Sequence, residues 1–250
     1  MTLAGRCILV TRPADEAGSL AERLRSLGAR VIEAPAIVIE PLQDFSEMDR
    51  AVRQLAGGEF AWISFSSPRA VDAVLGRMHR FGLPPRIPSR VAAVGPATAE
   101  RLADAGVPVD LTADPHTTAA LAAAFPEGDG RVLLPRADIA PEGLEEALEA
   151  KGWTAVRVDA YRTAFPERLA EEARDALEAG EVDVIVFTSS STVEGFARMA
   201  GVPDQVCVAC IGPVTAEAAR EAGFRVCWVA EPHTADGLVR TLEEAEEVHT

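Results

Sequence analysis

The chain carries one ordered set of motifs twice. Phe65-Ser66-Ser67, Val94-Gly95-Pro96-Ala97-Thr98-Ala99-Glu100, Ala105-Gly106 and His116-Thr117-Thr118-Ala119 occupy the first half. Phe187-Thr188-Ser189-Ser190, Ile211-Gly212-Pro213-Val214-Thr215-Ala216-Glu217, Ala222-Gly223 and His233-Thr234-Ala235-Asp236 repeat them in the second. An offset of 117 residues separates both Gly95 from Gly212 and His116 from His233. A period this long exceeds any solenoid unit, so it reads as two copies of one domain. Each copy would hold roughly 115 to 125 residues, an ordinary domain size. Two similar lobes frame a cleft, where small ligands tend to bind. The repeated segments are turn-like and rich in hydroxyls, and are the expected lining.

Between the motifs, strands alternate with helices. Strands are expected at Arg6–Thr11, Ala61–Phe65, Arg90–Val94, Arg131–Leu134, Val182–Phe187, Val206–Ile211 and Arg225–Val229. Helical spacing of apolar residues marks 15–27, Ala70–Phe81, Ala97–Ala105, Thr117–Phe125, Pro141–Ala150, Val193–Met199, Thr215–Ala222 and 235–247. Gly28, Gly106 and Gly223 stop three of these helices. Such alternation predicts an α/β fold with parallel sheets covered on both faces. Two segments break the rhythm, Arg30–Pro41 and Thr154–Thr163, each after the first helix of its half. Gly28 and Gly152, like Arg12 and Arg136, are offset by 124 residues. The two segments read equally well as paired linkers between lobes or as ordinary sheet strands; Pro35 and Pro41 suit an edge.

Apolar residues make up 48% of the 250, enough to build a core in each lobe. No apolar run reaches 18 residues, so no membrane helix is expected. The N-terminus shows neither a basic region nor a long apolar stretch, so no signal peptide is expected and a cytoplasmic location is. The net charge of −15 argues against nucleic acid as a partner. No long exposed apolar seam is evident, and a monomer is expected. Of four cysteines, Cys207 and Cys210 form a CxxC inside a strand-like run, where a spacing of three sends the thiols to opposite faces. Buried packing is the expected role of the cysteines rather than redox or metal chemistry.

Ligands of open parallel sheets sit beyond the carboxyl ends of strands. Ser66-Ser67 and Thr188-Ser189-Ser190 fall there, as do Gly95-Pro96-Ala97-Thr98 and Gly212-Pro213-Val214-Thr215. Helix N-termini at such turns offer free N–H groups to anions. Each hydroxyl can equally be a simple helix cap. GxGxxG, the phosphate loop GxxxxGK[ST] and a glycine-flanked nucleophilic serine are all missing, and no cluster with metal-ligand spacing occurs. His116 and His233 are expected to be capping or surface groups. Tyr161, the one tyrosine of the chain, lies in the second extended segment. A lone tyrosine is usually a packing residue; here it is also the candidate hydroxyl donor or weak general acid.

LVTRP, FSSPRAV, AVGPATA, LLPRA, AYRT, FTSSSTV, IGPVTAEA and HTADGL, in that order, resemble the uroporphyrinogen-III synthase family over nearly the whole chain. The resemblance implies two flavodoxin-like lobes joined by a two-stranded ladder. One lobe would be discontinuous, residues 1–35 with 166–250; the other would span 45–153, with linkers at 36–44 and 154–165. It implies cyclisation of hydroxymethylbilane to uroporphyrinogen III with inversion of ring D, through a spiro intermediate, and no metal or organic cofactor. It makes Tyr161 the candidate for assisting departure of the substrate hydroxyl and Thr215, with Thr98 as its counterpart, a residue that binds or orients substrate. Ser66, Ser67, Thr188, Ser189 and Ser190, with backbone N–H groups near Gly212, would hold carboxylates. The loop TSSST lacks the proline of other versions, which touches the contacts of Ser189 and Ser190. Eight substrate carboxylates against a net charge of −15 require local cations, and Arg12, Arg69, Arg136 and Arg162 are the candidates. Two other readings share these turns. A binding module for an anionic small molecule leaves Tyr161 without a task; a nucleotide-using enzyme lacks its phosphate loops.

Overall fold

The computed structural model describes residues 3–203 and 206–247. In chain order the elements are β1 (Cys7–Val10), α1 (Ala14–Ser26), β2 (Arg30–Glu33), β3 (Val38–Glu40), α2 (Ser46–Ala56), β4 (Trp62–Phe65), α3 (Pro68–Arg80), β5 (Arg90–Ala93), α4 (Pro96–Asp104), β6 (Leu111–Thr112) and α5 (Thr118–Ala124). Then follow β7 (Arg131–Ala137), α6 (Gly143–Glu149), β8 (Thr154–Ala164), α7 (Glu171–Glu178), β9 (Val184–Phe187), α8 (Ser190–Ala200), β10 (Cys207–Cys210), α9 (Pro213–Glu221), β11 (Arg225–Val229) and α10 (Ala235–Glu247). They form two compact units, one of residues 1–39 with 164–250 and one of 40–163.

The first unit holds a sheet in the order β11-β10-β9-β1-β2, paired in parallel throughout. The inner strands β1, β9 and β10 are buried on both faces, which explains their unbroken apolar runs. Cys7, Leu9, Ile185 and Phe187 pack against α7, α8 and α9, while Ile8, Val10, Val184 and Val186 pack against α1 and α10. The other sheet runs β3-β8-β7-β4-β5-β6, with β4 to β7 wholly in the second unit. Ile63, Phe65 and Leu133 face α2, α3 and α4; Trp62, Val132 and Leu134 face α5 and α6. In chain order the first sheet reads 2-1-3-4-5 and the second, leaving aside β3 and counting from β4, reads 3-2-1-4-5; both are doubly wound orders, with a topological switch point between β1 and β9 in one and between β4 and β7 in the other.

The repeat seen in the sequence is therefore not the folding unit. In sequence the chain reads as a βαβ segment followed by a three-strand segment, and then both again. In space the first βαβ segment (β1, β2) joins the last three strands (β9, β10, β11), and the middle pieces form the other unit. The extended segments turn out to be strands. Arg30–Glu33 is β2, an edge strand; Thr154–Ala164 is β8, bonded to β7 on one side, with Val38–Glu40 as β3 on the other. Sequence periodicity had passed over α2, although Met48, Ala51, Val52 and Leu55 bury one helical face, and also α7.

The cysteine reading needs one correction. Cys7 and Cys210 are buried free thiols, but Cys207 is bonded to Cys227. The β10–β11 register slips between Val208 and Ala209, leaving Cys227 as an extra residue of β11, and its Cα lies 5.6 Å from that of Cys207. No alternation pattern reveals such a bulge.

Candidate active site

The switch point of the second unit gathers most of the chemistry. β4 ends at Phe65, and Ser66-Ser67 turn the chain into α3. Ser67 has extended backbone and caps the helix, its Oγ accepting from the Ala70 N–H at 3.2 Å, with Pro68 following at the position where a missing N–H costs nothing. Next to β4 lies β7, and beyond it β8. β7 and β8 pair in step from Arg131↔Thr154 to Arg136↔Asp159; the next pair is Ala137↔Tyr161, so Ala160 is an extra residue. Strict alternation would put Tyr161 on the face of Arg157 and Asp159. The bulge instead turns it to the face of Leu133 and Ala137, where it packs against the same core as Val158, Ala160 and the buried side of α3. There its hydroxyl lies 3.2 Å from Ser67 Oγ. Bulges next to active sites commonly re-aim a side chain in this way.

Asp138 fixes the backbone around the bulge. Its N–H donates to the Tyr161 carbonyl (3.2 Å), and its Oδ1 accepts from the N–H groups of Thr163 (2.9 Å) and Ile139 (3.0 Å). Sequence reasoning missed Asp138. The only signal was its place just past an apolar strand, which it shares with many surface aspartates.

The arginines divide. Arg136 is 3% exposed; its Nη1 donates to both oxygens of Glu145 (3.0 and 2.7 Å) and to the Pro141 carbonyl (2.7 Å). Its charge is spent inside the unit, which corrects the expectation that it faces a ligand. Arg157 secures the same loop through the carbonyls of Ala137, Asp138 and Ala140. Arg162 is more open, and its ion pairs to Glu40 and Asp138 are long, 3.9 Å each. In the first unit, Arg12 follows β1 at the position equivalent to Arg136; it bonds Glu16 at 3.0 Å and stays partly accessible.

The first unit repeats the edge. Beside Arg12, the turn after β9 carries Thr188, Ser189 and Ser190. Ser189 caps α8 in a reciprocal box with Thr192 and also meets Ser191 Oγ at 2.9 Å. No partner for the hydroxyls of Ser66, Thr188 or Ser190 is found among the described residues. Thr98 and Thr215 sit in the first turns of α4 and α9 but are 3% and 5% exposed. Both are thus enclosed by their own units. Gly95 and Gly212 start those helices, and the rings of His116 and His233 pack over them; a Cβ on Gly212 would lie 3.4 Å from the His233 ring. The histidines do not cap. Thr117 and Thr234 do, accepting from the N–H groups of Ala120 and Gly237 at 3.0 Å each. Among the described residues no group of three or more His, Cys, Asp or Glu could hold a metal ion, and no helix is long and apolar enough to cross a membrane.

A family model described as uroporphyrinogen-III synthase HemD matches residues 18–240. The chain belongs to the uroporphyrinogen-III synthase family. It is 32% identical to the uroporphyrinogen-III synthase of Synechococcus elongatus over 97% of this chain and 96% of that one. It is 26% identical to the synthase of Chlorobaculum parvum over 96% of this chain and 99% of that one. In fold it is similar to a crystal structure of a mutant uroporphyrinogen III synthase from Thermus thermophilus, with a TM-score of 0.73 over 97% of this chain and 99% of that one, at 22% identity. The segments FSSPRA and AYRT, far apart in sequence, meet at the contact between Ser67 and Tyr161.

Proposed function

We propose that this chain cyclises hydroxymethylbilane to uroporphyrinogen III with Tyr161 as the general acid. The observation that carries this reading is the placement of the Tyr161 hydroxyl by a bulge, at the carboxyl edge of its sheet and beside an open serine turn. The reaction needs little group chemistry. A proton from Tyr161 leaves with the substrate hydroxyl as water, and ring A becomes an electrophilic azafulvene. Ring D attacks through its substituted α-carbon to give the spiro intermediate, which fragments. Ring D then closes through its other α-carbon, and the proton lost there restores the phenol.

The harder task is conformational. The free substrate can close directly to the type I isomer, so the protein must favour a folded conformer, which is catalysis by positioning. The hydroxyls of Ser66, Thr188 and Ser190, the N–H groups opening α4, α8 and α9, and the guanidiniums of Arg12 and Arg162 are the donors assigned to the carboxylates. The N–H groups combine with the positive ends of the helices. Thr98, Thr215 and Arg136 are assigned to hold these turns rather than to touch substrate, and Ser67 and Ser189 are occupied as caps. A binding module without catalysis would leave Tyr161 unexplained. Tyr161→Phe is expected to lower kcat by about a hundredfold, the scale of a lost general acid, with an unchanged melting temperature. Wild-type turnover in that variant would remove Tyr161 from the mechanism.

A further inference from the structure

We infer that Ile139 is a substrate-contact residue whose side chain packs on the face of a pyrrole ring; the inference rests on the synthase reading and adds a residue to that site. Three large apolar side chains stand exposed among the described residues, Val38, Ile139 and Val214. Val38 belongs to β3, at the edge of its sheet. Ile139 and Val214 lie instead at carboxyl edges, one just past β7 and the other in the first turn of α9. Ile139 is 41% exposed and packs into neither core of its unit.

The turn that carries Ile139 is held at almost every backbone group. The Ala140 N–H closes it on the Ala137 carbonyl (3.0 Å), the Asp138 N–H donates to the Tyr161 carbonyl (3.2 Å), and the Ile139 N–H donates to Asp138 Oδ1 (3.0 Å). Arg157 donates to the carbonyls of Ala137, Asp138 and Ala140, and Arg136 to that of Pro141. Turns favour Gly, Pro, Asn, Asp and Ser, and an isoleucine displayed on one forgoes the stabilisation of burial. Here two arginines and an aspartate immobilise the backbone beneath an open apolar side chain. A group held in place before binding loses little freedom when its ligand arrives.

Position identifies the ligand. β4 and β7 flank the switch point. α3, which follows β4, packs on one face of the sheet with Ile63 and Leu133, and α6, which follows β7, packs on the other with Trp62 and Val132. The chain therefore leaves the two strands toward opposite faces, with Ser66-Ser67 on one side of the crevice and Asp138-Ile139 on the other. Ligands of such sheets bind in that crevice. Hydroxyls, N–H groups and guanidiniums hold the carboxylate arms of hydroxymethylbilane but leave the plane of each ring free to turn. Making ring D attack through its substituted α-carbon requires a ring plane to be fixed as well, and an aliphatic side chain against a ring face does that.

The test is steady-state kinetics and product analysis on wild type, Ile139→Ala and Ile139→Leu with hydroxymethylbilane as substrate, with melting temperatures measured alongside. Ile139→Ala is expected to lower kcat/KM about tenfold, the scale of apolar atoms lost from a substrate contact, and to raise the share of the type I isomer. Its melting temperature is expected within about 2 °C of wild type, as at other exposed positions. Ile139→Leu keeps the apolar volume and is expected to restore both kcat/KM and the share of type III. Wild-type kinetics and products in Ile139→Ala would overturn the inference and leave the synthase reading intact. So would a loss that Ile139→Leu shares in full, or one that tracks a fall in melting temperature. Type I alone from the wild-type protein is a separate failure, of the synthase reading, and the inference falls with it.

Discussion

Single residues decide how much of the candidate site is chemistry and how much is scaffold. Burial pushes the Cys210 thiol up from its ordinary value of 9.0 to about 12, and burial raises Cys7 in the same direction. These thiols stay protonated in the folded chain when the unfolded chain has ionised. The folded state then binds more protons, so stability falls as pH rises above about 9, for Cys210 on toward 12, by at most about 1.4 kcal/mol per unit for each thiol. Below pH 9 they contribute no slope. Urea titrations between pH 8 and 10 are expected to show this fall, and Cys210→Ala to flatten it; an equal slope in the variant would contradict the assignment. Arg136 makes a different point. From sequence it was indistinguishable from a ligand arginine, because the residue that neutralises it, Glu145, lies nine positions on in a helix whose orientation no motif announces. Breaking a buried pair leaves an uncompensated charge and costs about 3–5 kcal/mol. Arg136→Ala is therefore expected to lose stability on that scale in chemical denaturation, and a variant as stable as wild type would show that the arginine is not structural.

Elements were legible where apolar periodicity was strong and illegible where one extra residue mattered. β1, β9 and β10 are continuous apolar runs because both faces of the sheet are covered, and α3, α4 and α9 announce themselves by Pro at the first helical position. The bulges at Ala160 and Cys227 leave no such trace, yet one aims Tyr161 and the other brings Cys227 to Cys207. Close packing of elements was equally hidden. Gly195, inside α8, lies so near the Ala36 backbone that a Cβ would be 2.0 Å from the Ala36 carbonyl oxygen. Gly→Ala in an open helix gains up to about 1 kcal/mol. Here the clash is with backbone rather than a flexible side chain, so overpacking of about 1–3 kcal/mol or more wins. Gly195→Ala is expected to lower the melting temperature; a gain would mean that α8 has room to move away.

At the scale of the whole molecule, the repeat disclosed that there are two similar units but not which segments compose each. Equal offsets between matching motifs are satisfied whether each repeat folds on itself or exchanges its last three strands with the other. Only strand pairing separates the cases: Ile8 beside Val184, and Trp62 beside Val132. The resemblance to the synthases had implied the discontinuous unit; the residue pattern alone had not. The exchange puts β9 and its turn Thr188-Ser189-Ser190 next to β1 and Arg12, and β4 with Ser66-Ser67 next to β7. Each switch point is thus built from two distant pieces of chain. The central claim is that this arrangement makes one isomer from a substrate that otherwise makes another. The decisive measurement is to generate hydroxymethylbilane in place with the protein present, oxidise the products and separate the type I and type III isomers by chromatography. The account predicts predominantly type III in proportion to protein; type I alone, at the spontaneous rate and with the protein folded, would contradict it.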